Sequence, residues 1–399
     1  MVRVGKYHFL FHPDQVEEVL ETHADRFERV ASERRVSGRL VDDALFASEG
    51  ERHAGQREVM EPVMYRHAPE ALAGVVAQLG GWMRDSLSEG QTMDLFQWTE
   101  STTTTEMVQL LFGLEPADPG GRRMAGLIRE AIYAMDHIFL GFSRIPDHVG
   151  PLMSRFRRAR AELDRAIAAV ISERREAGSG DGDILGMLAG SGLSEVEIRN
   201  ELVTLFRGHQ AVSTGLTWTF YQLASLPEVE SRMHAEIDAV TGGGERLPGP
   251  EDLDRLDYTR RTFQESLRLM PPAWVLARLC VQDHTVGQYV VPKGAQVLLT
   301  EWVTHRDERW WADPSRFDPD RFTPEIESKR PRYAYFPQGG GPKMCMGKHL
   351  VVPVEAPLLL AAVAGRWRMR LAPGFEMELA PKATLKPKHG IRVVVERRA

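Results

Sequence analysis

Cysteine is scarce in this 399-residue chain, which contains only Cys280 and Cys345. Two cysteines do not make the disulfide framework of a small secreted protein, and no Cys-x-x-Cys-His motif is present for covalent haem attachment. We therefore expect a reducing, cytoplasmic setting. Long apolar runs are missing too, since no stretch approaches the roughly 20 apolar residues that cross a bilayer. Residues 1–7 lack the apolar core of a signal peptide or anchor, so the sequence predicts no membrane partner.

The chain also carries little net charge. The formal net charge of -6 and the isoelectric point near 6.1 give no sign of a nucleic-acid-binding protein. With 43% hydrophobic and 27% charged residues, the chain can bury the large core of an ordinary globular protein. No internal repeat and no low-complexity linker divides it. These features favour an ordinary globular protein without a nucleic-acid partner.

Residues 335–347 read YFPQGGGPKMCMG and stand out from the rest of the chain. Three glycines and a proline predict a loop whose backbone can lie flat against a large ligand. Residues 348–363 are mostly apolar and predict a helix, so the sulfur of Cys345 should lie near a helix N-terminus, where a thiolate is favoured. A single thiolate on such a loop, two residues after Lys343, suits an axial ligand of haem iron. The alternative from these residues alone is a surface loop with a chance cysteine.

Three further patterns are weak when each is taken alone. His53 and Arg57 are four residues apart, so a helix would place both on one face, and the spacing by itself favours a solvated polar face. Glu265 and Arg268 lie three apart in a predicted helix at 258–270, as a surface ion pair would. The sequence PDRF at 319–322 supplies another arginine, Arg321.

Helical spacing covers most of the first two hundred residues and strands return late, which predicts a mainly α protein with small β-sheets. A capped helix should begin after Ser194, with Glu197 in the capping box, and run to about residue 226, where Pro227 ends it. Pro353 and Pro357 should kink the helix after the cysteine. The predicted breaks and strands are as follows: breaks at Gly90, 116–121 and 178–182; strands at 4–11, 286–291, 295–300, 384–385 and 391–395.

These motifs, in this order and at these spacings, resemble those of cytochromes P450 over most of the chain. The resemblance implies the cytochrome P450 fold, mainly α with small sheets, as a single domain over residues 1–399. Family members reach the strand near Tyr7 only after an N-terminal helix, so this region is expected to be short or incomplete. The family also implies haem b as the cofactor, with Cys345 as its thiolate ligand.

The resemblance assigns roles to further residues. Expected propionate contacts are His53, Arg57 and Arg278, and the expected haem-loop positions are Gln338, Gly339, Gly341, Lys343 and Gly347. Glu265, Arg268 and Arg321 are expected to form a buried structural network that supports the cysteine loop. Gln338 departs from the family, which usually has an aromatic residue there, and its amide could donate a hydrogen bond to the thiolate and weaken its electron donation to iron.

The predicted central helix departs from the family at the positions that serve oxygen chemistry. Family members usually carry an acid and an alcohol there, which organise waters for proton delivery to dioxygen. Here the matching residues are Gln210 and Ala211, which cannot do this. Ser213 or Thr214 could substitute only if the helix were distorted by about one residue.

Arg207 occupies a family position that usually holds a small residue facing the iron. Two interpretations stay open: the side chain turns aside to a propionate or solvent, or it clamps an anionic substrate group such as a carboxylate. His209 is either another polar contact or part of the packing against a neighbouring helix. We treat Arg207, His209, Gln210 and Ala211 together as the candidate catalytic positions.

We expect a haem-thiolate P450 of secondary metabolism that acts on a small, natural-product-like and carboxylate-bearing substrate. Its chemistry should be atypical: oxidative cyclisation, rearrangement, or nitrene or oxo transfer from a substrate N–O or O–O bond. The alternatives are a conventional O2-dependent monooxygenase with substrate-assisted proton delivery, and a non-catalytic haem protein that binds a ligand. Dioxygen chemistry would need a separate ferredoxin or flavodoxin and its reductase, docked near Lys343 and Lys348, with Arg366 or Arg368 contributing.

Overall fold

The computed structural model describes residues 1–115, 117–141, 151–177 and 183–398. Within these residues the helices are α1 (Pro13–Glu17), α2 (Ala31–Val41), α3 (Gly50–Pro62), α4 (Ala68–Asp85), α5 (Leu95–Phe112), α6 (Pro119–Gly141), α7 (Pro151–Ala177), α8 (Ile184–Ala189), α9 (Glu195–Ser225), α10 (Pro227–Thr241), α11 (Asp257–Leu269), α12 (Glu301–Thr304), α13 (Pro324–Glu327), α14 (Lys348–Leu350) and α15 (Ala356–Ala364). None of these helices combines the length and the hydropathy that a membrane span needs.

The strands are short and form four small sheets. They are β1 (Val2–Val4), β2 (Tyr7–Leu10), β3 (Phe27–Glu28), β4 (Thr92–Asp94), β5 (Leu276–Cys280), β6 (His284–Val286), β7 (Tyr289–Val291), β8 (Gln296–Leu299), β9 (Trp367–Leu371), β10 (Leu379–Pro381), β11 (Leu385–Pro387) and β12 (Arg392–Arg397). The largest sheet has the order β1-β2-β8-β5-β3, with β2 and β8 parallel. The others are β4-β12-β9, β10-β11 and β6-β7. The mainly α fold with small sheets is therefore confirmed.

The chain forms two compact units. The first contains residues 1–30, 76–99 and 211–399, and the second contains residues 31–75 and 100–210. All the strands belong to the first unit, where β2, β3, β5 and β8 contribute to an apolar core that includes Leu10, Phe27 and Phe336. In the second unit, α2, α6, α7 and α9 contribute buried apolar side chains around Leu202 and Phe206. The expectation of a single domain stays a prediction.

Two of the predicted strands are wrong as single strands. Residues 4–11 hold the end of β1, a turn at Gly5 and then β2, and residues 286–291 hold a second hairpin that turns at Gly287. Both glycines have a positive φ, 59° and 57°, which is the conformation that such tight turns require. The sequence pattern did not show that each segment contains two short strands that pair with each other.

The predicted helix after the cysteine is interrupted rather than continuous. It consists of α14, a π-helical segment Val351–Glu355, and α15. Pro353 lies in the π segment and Pro357 at the start of α15, where a missing amide hydrogen is tolerated. Pro353 thus accounts for the change of helix type, because it lacks an amide hydrogen that a regular α-helix would use.

The central helix α9 follows its prediction closely. The Ser194 amide donates to the Glu197 carboxylate at 2.9 Å and the Glu197 amide donates to the Ser194 hydroxyl at 3.3 Å, which is a capping box. The helix ends at Ser225, and Pro227 begins α10. The predicted break at 178–182 and residue 116 of the earlier break lie outside the described residues.

Candidate active site

Cys345 lies on an exposed loop of the first unit. Its amide donates to the Gln338 carbonyl at 2.9 Å, and the Gly339 amide donates to the Phe336 carbonyl at 2.8 Å. A Cβ on Gly347 would lie 3.8 Å from the Cys345 sulfur. The loop therefore folds back on itself around the cysteine, and Lys348, at the start of α14, donates its amide to the Cys345 carbonyl at 3.4 Å.

The glycines of this loop are packed against protein backbone and a tyrosine. Gly341 has φ of +60°, and a Cβ there would come 1.9 Å from the Leu20 carbonyl oxygen. A Cβ on Gly340 would come 2.4 Å from the Tyr333 hydroxyl. Gly341 therefore serves a close approach to the segment around Leu20, a role that the sequence did not indicate.

The two basic residues expected near the haem in the first unit are held by main-chain oxygens. Lys343 donates to the Phe27 carbonyl at 3.1 Å. Arg278, on β5, is 7% exposed and donates through Nη1 to the Ala277 carbonyl at 2.9 Å.

Glu265, Arg268 and Arg321 come together in the first unit as a buried network. Arg268 donates Nε and Nη2 to the two carboxylate oxygens of Glu265, both at 2.7 Å, and neither residue is exposed. Arg321 Nε lies 3.4 Å from Glu265. Burial raises the pKa of Glu265, while the hydrogen bonds of Arg268 lower it. Arg268 also donates to three carbonyls between 2.8 and 3.0 Å away, those of His305, Pro314 and Arg316.

His305 connects this network to the cysteine loop. Its Nε2 accepts the Phe336 amide at 3.0 Å, while its carbonyl accepts from Arg268. Burial, with the nearby Arg268 charge, lowers the pKa of His305 well below its ordinary value. The neutral ring is the form that can accept this hydrogen bond. The Tyr335 hydroxyl adds a second link by donating to the Gln264 carbonyl of α11 at 2.9 Å.

In the second unit, α3 carries His53 and Arg57, which are 4% and 8% exposed. The spacing of four residues places both on one side of the helix, and that side is buried, so the solvated-face interpretation does not hold. Arg57 donates to Glu61, one turn later, at 2.7 Å and to the Tyr65 hydroxyl at 2.6 Å. These two residues therefore fix the orientation of the guanidinium.

The middle of α9 has a narrow open side. Between Ile198 and Phe220, Gly208 and Ala211 are the exposed residues, and they are three apart on one side of a regular helix. Gln210 is 5% exposed, and Ser213 and Thr214 are 1% and 0% exposed. The described helix contains no distortion that would bring either alcohol to the open side. That side therefore presents neither the acid nor the alcohol.

His209 points into helix packing. It is 3% exposed, its Nδ1 donates to the Phe206 carbonyl at 2.6 Å, and its Nε2 lies 3.1 Å from the Thr104 hydroxyl of α5. Of the two interpretations of His209, the geometry supports packing against the neighbouring helix. The expectation of a catalytic contact is therefore not supported by its placement.

Arg207 is half-buried beside the open side of α9. Nη1 donates to the Ser37 hydroxyl of α2 at 2.6 Å, and the guanidinium carbon lies 4.4 Å from the centroid of the Phe46 ring. Neither contact was anticipated. The guanidinium is thus held in one orientation by a hydroxyl and an aromatic face.

Several of these residues were missed by the sequence analysis. Glu61 is four residues after Arg57, and that spacing was a usable signal. His305 lay in a family-like stretch but had no role assigned. Ser37 and Phe46 gave no signal, because their importance comes only from contact with a residue about 160 to 170 positions away.

Comparison with known proteins identifies the family. The family description "Cytochrome P450" matches residues 3–394. The chain is 32% identical to cyclooctat-9-en-7-ol 5-monooxygenase of Streptomyces melanosporofaciens, over 84% of this chain and 74% of the relative. It is 30% identical to putative cytochrome P450 132 of Mycobacterium bovis, over 97% of this chain and 87% of the relative.

A solved structure has the same fold. The haem domain of cytochrome P450DA matches with a TM-score of 0.85 and 24% identity, over 98% of this chain and 87% of that one. At this identity the likeness concerns the fold. The family supplies the cofactor, a haem whose iron is bound by a cysteine. The chain belongs to the cytochrome P450 family, and it is a haem-thiolate oxidoreductase of the monooxygenase class that acts on small molecules.

Proposed function

We propose that the protein is a P450 of secondary metabolism whose small, natural-product-like substrate carries a carboxylate and brings its own oxidising equivalents. The observation that carries this proposal is the open side of α9, formed by Gly208 and Ala211, which presents neither the acid nor the alcohol of a proton-relay pair. General acid-base catalysis by such a pair contributes roughly 10²- to 10⁴-fold. A substrate with an N–O or O–O bond does not depend on that contribution.

The residues present fit the cofactor of the family. We propose Cys345 as the iron ligand because the other cysteine, Cys280, is buried and its sulfur donates to the Gln282 carbonyl. His53, Arg57 and Arg278 would hold the propionates, because all three are donors suited to carboxylates. The bound haem supplies the redox chemistry. Cys345 is exposed on its loop, so its sulfur is accessible to a cofactor.

Arg207 is the proposed contact for the substrate carboxylate. Ser37 and Phe46 order its guanidinium in advance, which lowers the entropy cost of binding an anion. The Ser37 hydroxyl accepts from Arg207, so its own hydrogen is directed elsewhere and could be donated to the same carboxylate. A hydrogen bond to a charged group contributes roughly 1.5 to 3 kcal/mol, or about 10- to 150-fold in affinity.

The carboxylate contact is tested by optical titration of the ferric haem with matched free acids and methyl esters of small aromatic and terpenoid compounds. Wild type should bind each acid at least tenfold more tightly than its ester, and Arg207→Ala should remove that preference. Ser37→Ala is the matched control, since it keeps the guanidinium and should lose only part of the preference. Equal binding of acids and esters by wild type would refute this contact.

The missing relay is tested with a plant-type ferredoxin, its reductase and NADPH. In the presence of the acids that bind, wild type should transfer most of the electrons from NADPH to dioxygen and release them as hydrogen peroxide. Ala211→Thr restores an alcohol on the open side and should lower the peroxide released per NADPH. Ala224→Thr adds the same group farther along α9 and should change nothing. Efficient oxidation of the acids by wild type, with little peroxide, would contradict the proposal.

A second candidate function is conventional monooxygenation with proton delivery assisted by the substrate. It is favoured by the relative from Streptomyces, which is named as a monooxygenase. In that case the peroxide yield of wild type would be low, and turnover would require both reductant and dioxygen. The third hypothesis, a non-catalytic haem protein, is disfavoured by membership in a family of oxidoreductases.

The proposed electron donor, a ferredoxin or flavodoxin, would dock near the cysteine loop. Among the basic residues expected there, Arg366 lies 3.2 Å from Asp85 and Arg368 lies 3.9 Å from Glu230. Their charges are therefore matched within the protein, and Lys348 is the residue of this group that we expect to contribute most to docking.

A further inference from the structure

Residues 31–48 of the second unit, which include α2 and the turn after it, set the surroundings of Arg207. This segment, called the 31–48 segment below, contributes both Ser37 and Phe46 to the Arg207 contacts. Whatever holds the segment against α9 therefore also controls the orientation of Arg207.

Two arginines hold the end of α2. Arg199 of α9 donates to the Leu40 carbonyl at 2.9 Å. Arg160 of α7 donates to the Arg39 carbonyl and, at 2.8 Å, to both oxygens of Asp42. Guanidinium groups keep their proton in proteins, so the bonds to the two carbonyls do not depend on pH.

Glu201 of α9 makes the next contact, and this one can titrate. Its two carboxylate oxygens lie 3.1 and 3.3 Å from the amide nitrogen of Leu45, which donates to them. Glu201 is 2% exposed. Burial raises the pKa of the carboxyl to about 7, and the Leu45 amide opposes that rise. The acid therefore binds a backbone amide 156 residues away while losing most of its hydration.

The charged groups around Glu201 do not offset the free-energy cost of burying its carboxylate. Glu197, one turn earlier on α9, raises the pKa of Glu201, and Arg52 of α3 lowers it. Arg52 is itself 3.9 Å from Asp43 in the turn. On the other side, Arg199 is engaged with Asp164 of α7. No cation among the described residues forms an ion pair with Glu201.

We propose that Glu201 is a positioning residue that couples docking of the 31–48 segment on α9 to the uptake of one proton. When the segment lifts, water reaches the carboxyl and the acid ionises at its ordinary pKa of about 4.5. When the segment docks, the neutral acid is favoured, yet its carbonyl oxygen still accepts the Leu45 amide. Docking is therefore strongest at low pH, weakens as pH rises from about 4.5 to about 7, and changes no further above that range.

The size of the effect follows from the two pKa values. A shift from 4.5 to about 7 changes the docking equilibrium by at most about 300-fold, or roughly tenfold per pH unit inside the window. Neutral pH lies at the upper edge of this window. A small change in pH would then alter the fraction of molecules in which the segment is docked and Ser37 and Phe46 contact Arg207.

Hydrogen-deuterium exchange of the peptide covering residues 42–48 in the haem-loaded protein tests this inference. The exchange rate of wild type is divided by that of Glu201→Gln at the same pH, which cancels the chemical pH dependence of exchange. Glutamine keeps an acceptor for the Leu45 amide but cannot ionise. Glu195→Gln, on an exposed part of α9, is the matched control, and the Soret band shows that each variant is folded.

The exchange rate of wild type divided by that of Glu201→Gln should rise severalfold to tenfold per pH unit between pH 5 and 7. This ratio should level off near pH 7.5. The Glu195→Gln variant should follow wild type throughout. A ratio that stays constant from pH 5 to 8 would overturn the inference, and so would the same rise in Glu195→Gln. The test needs no substrate, so it is independent of the proposed reaction.

Discussion

Replacing Glu265 by glutamine should cost the protein a large part of its stability. Arg268 is fully buried, and Glu265 supplies both of its carboxylate acceptors at 2.7 Å. In Glu265→Gln one of those acceptors becomes an NH2 group that faces the N–H groups of Arg268, and the buried guanidinium loses its counter-charge. Breaking a buried pair in this way costs roughly 3 to 5 kcal/mol. Glutamine also weakens the acceptor of the Asp318 amide, which now binds Glu265 at 2.8 Å.

The assay is urea unfolding followed by far-ultraviolet circular dichroism and by the Soret band. A loss of about 3 kcal/mol or more should appear as a clear drop in the unfolding midpoint, because the total stability of a domain is typically about 5 to 15 kcal/mol. The control is Glu130→Gln, which breaks an exposed pair with Arg155 and should cost at most about 1 kcal/mol. If the two variants lose the same small amount, the buried network does not stabilise the fold as argued.

Three further results are expected. Gly341→Ala should reduce the haem content of the purified protein, because its Cβ would meet the Leu20 carbonyl, whereas Gly374→Ala, with φ of +73° and open space around it, should cost only the strain of about 1 kcal/mol. Gln338→Phe should lower the haem reduction potential by roughly 50 mV, the equivalent of one lost hydrogen bond to the thiolate; an unchanged potential would show that the amide points elsewhere. Burial, with nearby arginines, lowers the pKa of His234 to about 3. Below pH 6.5 the histidine is protonated in the unfolded state but stays neutral in the folded state. As the pH is lowered from 6.5 to 3, the free energy of unfolding should therefore decrease by up to about 1 kcal/mol per pH unit. His234→Gln should flatten that slope in urea unfolding at several pH values.

Much of the fold could be predicted because its signals are local. The capping box of Ser194 and Glu197 joins residues three apart, and proline marks the start of α10. The helical repeat also placed His53 and Arg57 on one side of α3, although the spacing by itself did not show that this side is buried. Local patterns did not predict the hairpin turns at Gly5 and Gly287. They do not show that the residues on either side of each turn form two strands that pair with each other.

The candidate site was predictable in its residue types but only partly in its geometry. Motifs suggested Cys345 and the Glu265–Arg268 pair, and the structure shows that this pair is buried and hydrogen-bonded, while the role of Cys345 stays a prediction. The orientation of Arg207 was left open and depended on Ser37, which is 170 residues away. The two interpretations of His209 were also left open, because sequence spacing does not show that Thr104 packs beside it.

The sequence by itself determined the family, the helical content and the presence of Gln210 and Ala211 where the family usually has an acid and an alcohol. Only the tertiary structure decided that Arg207 is held by Ser37 and that Glu201 is buried against the Leu45 amide. The physical reason is that helix signals act between residues a few positions apart along one backbone. Desolvation and hydrogen bonding at a buried site depend instead on groups that come together only when distant segments pack.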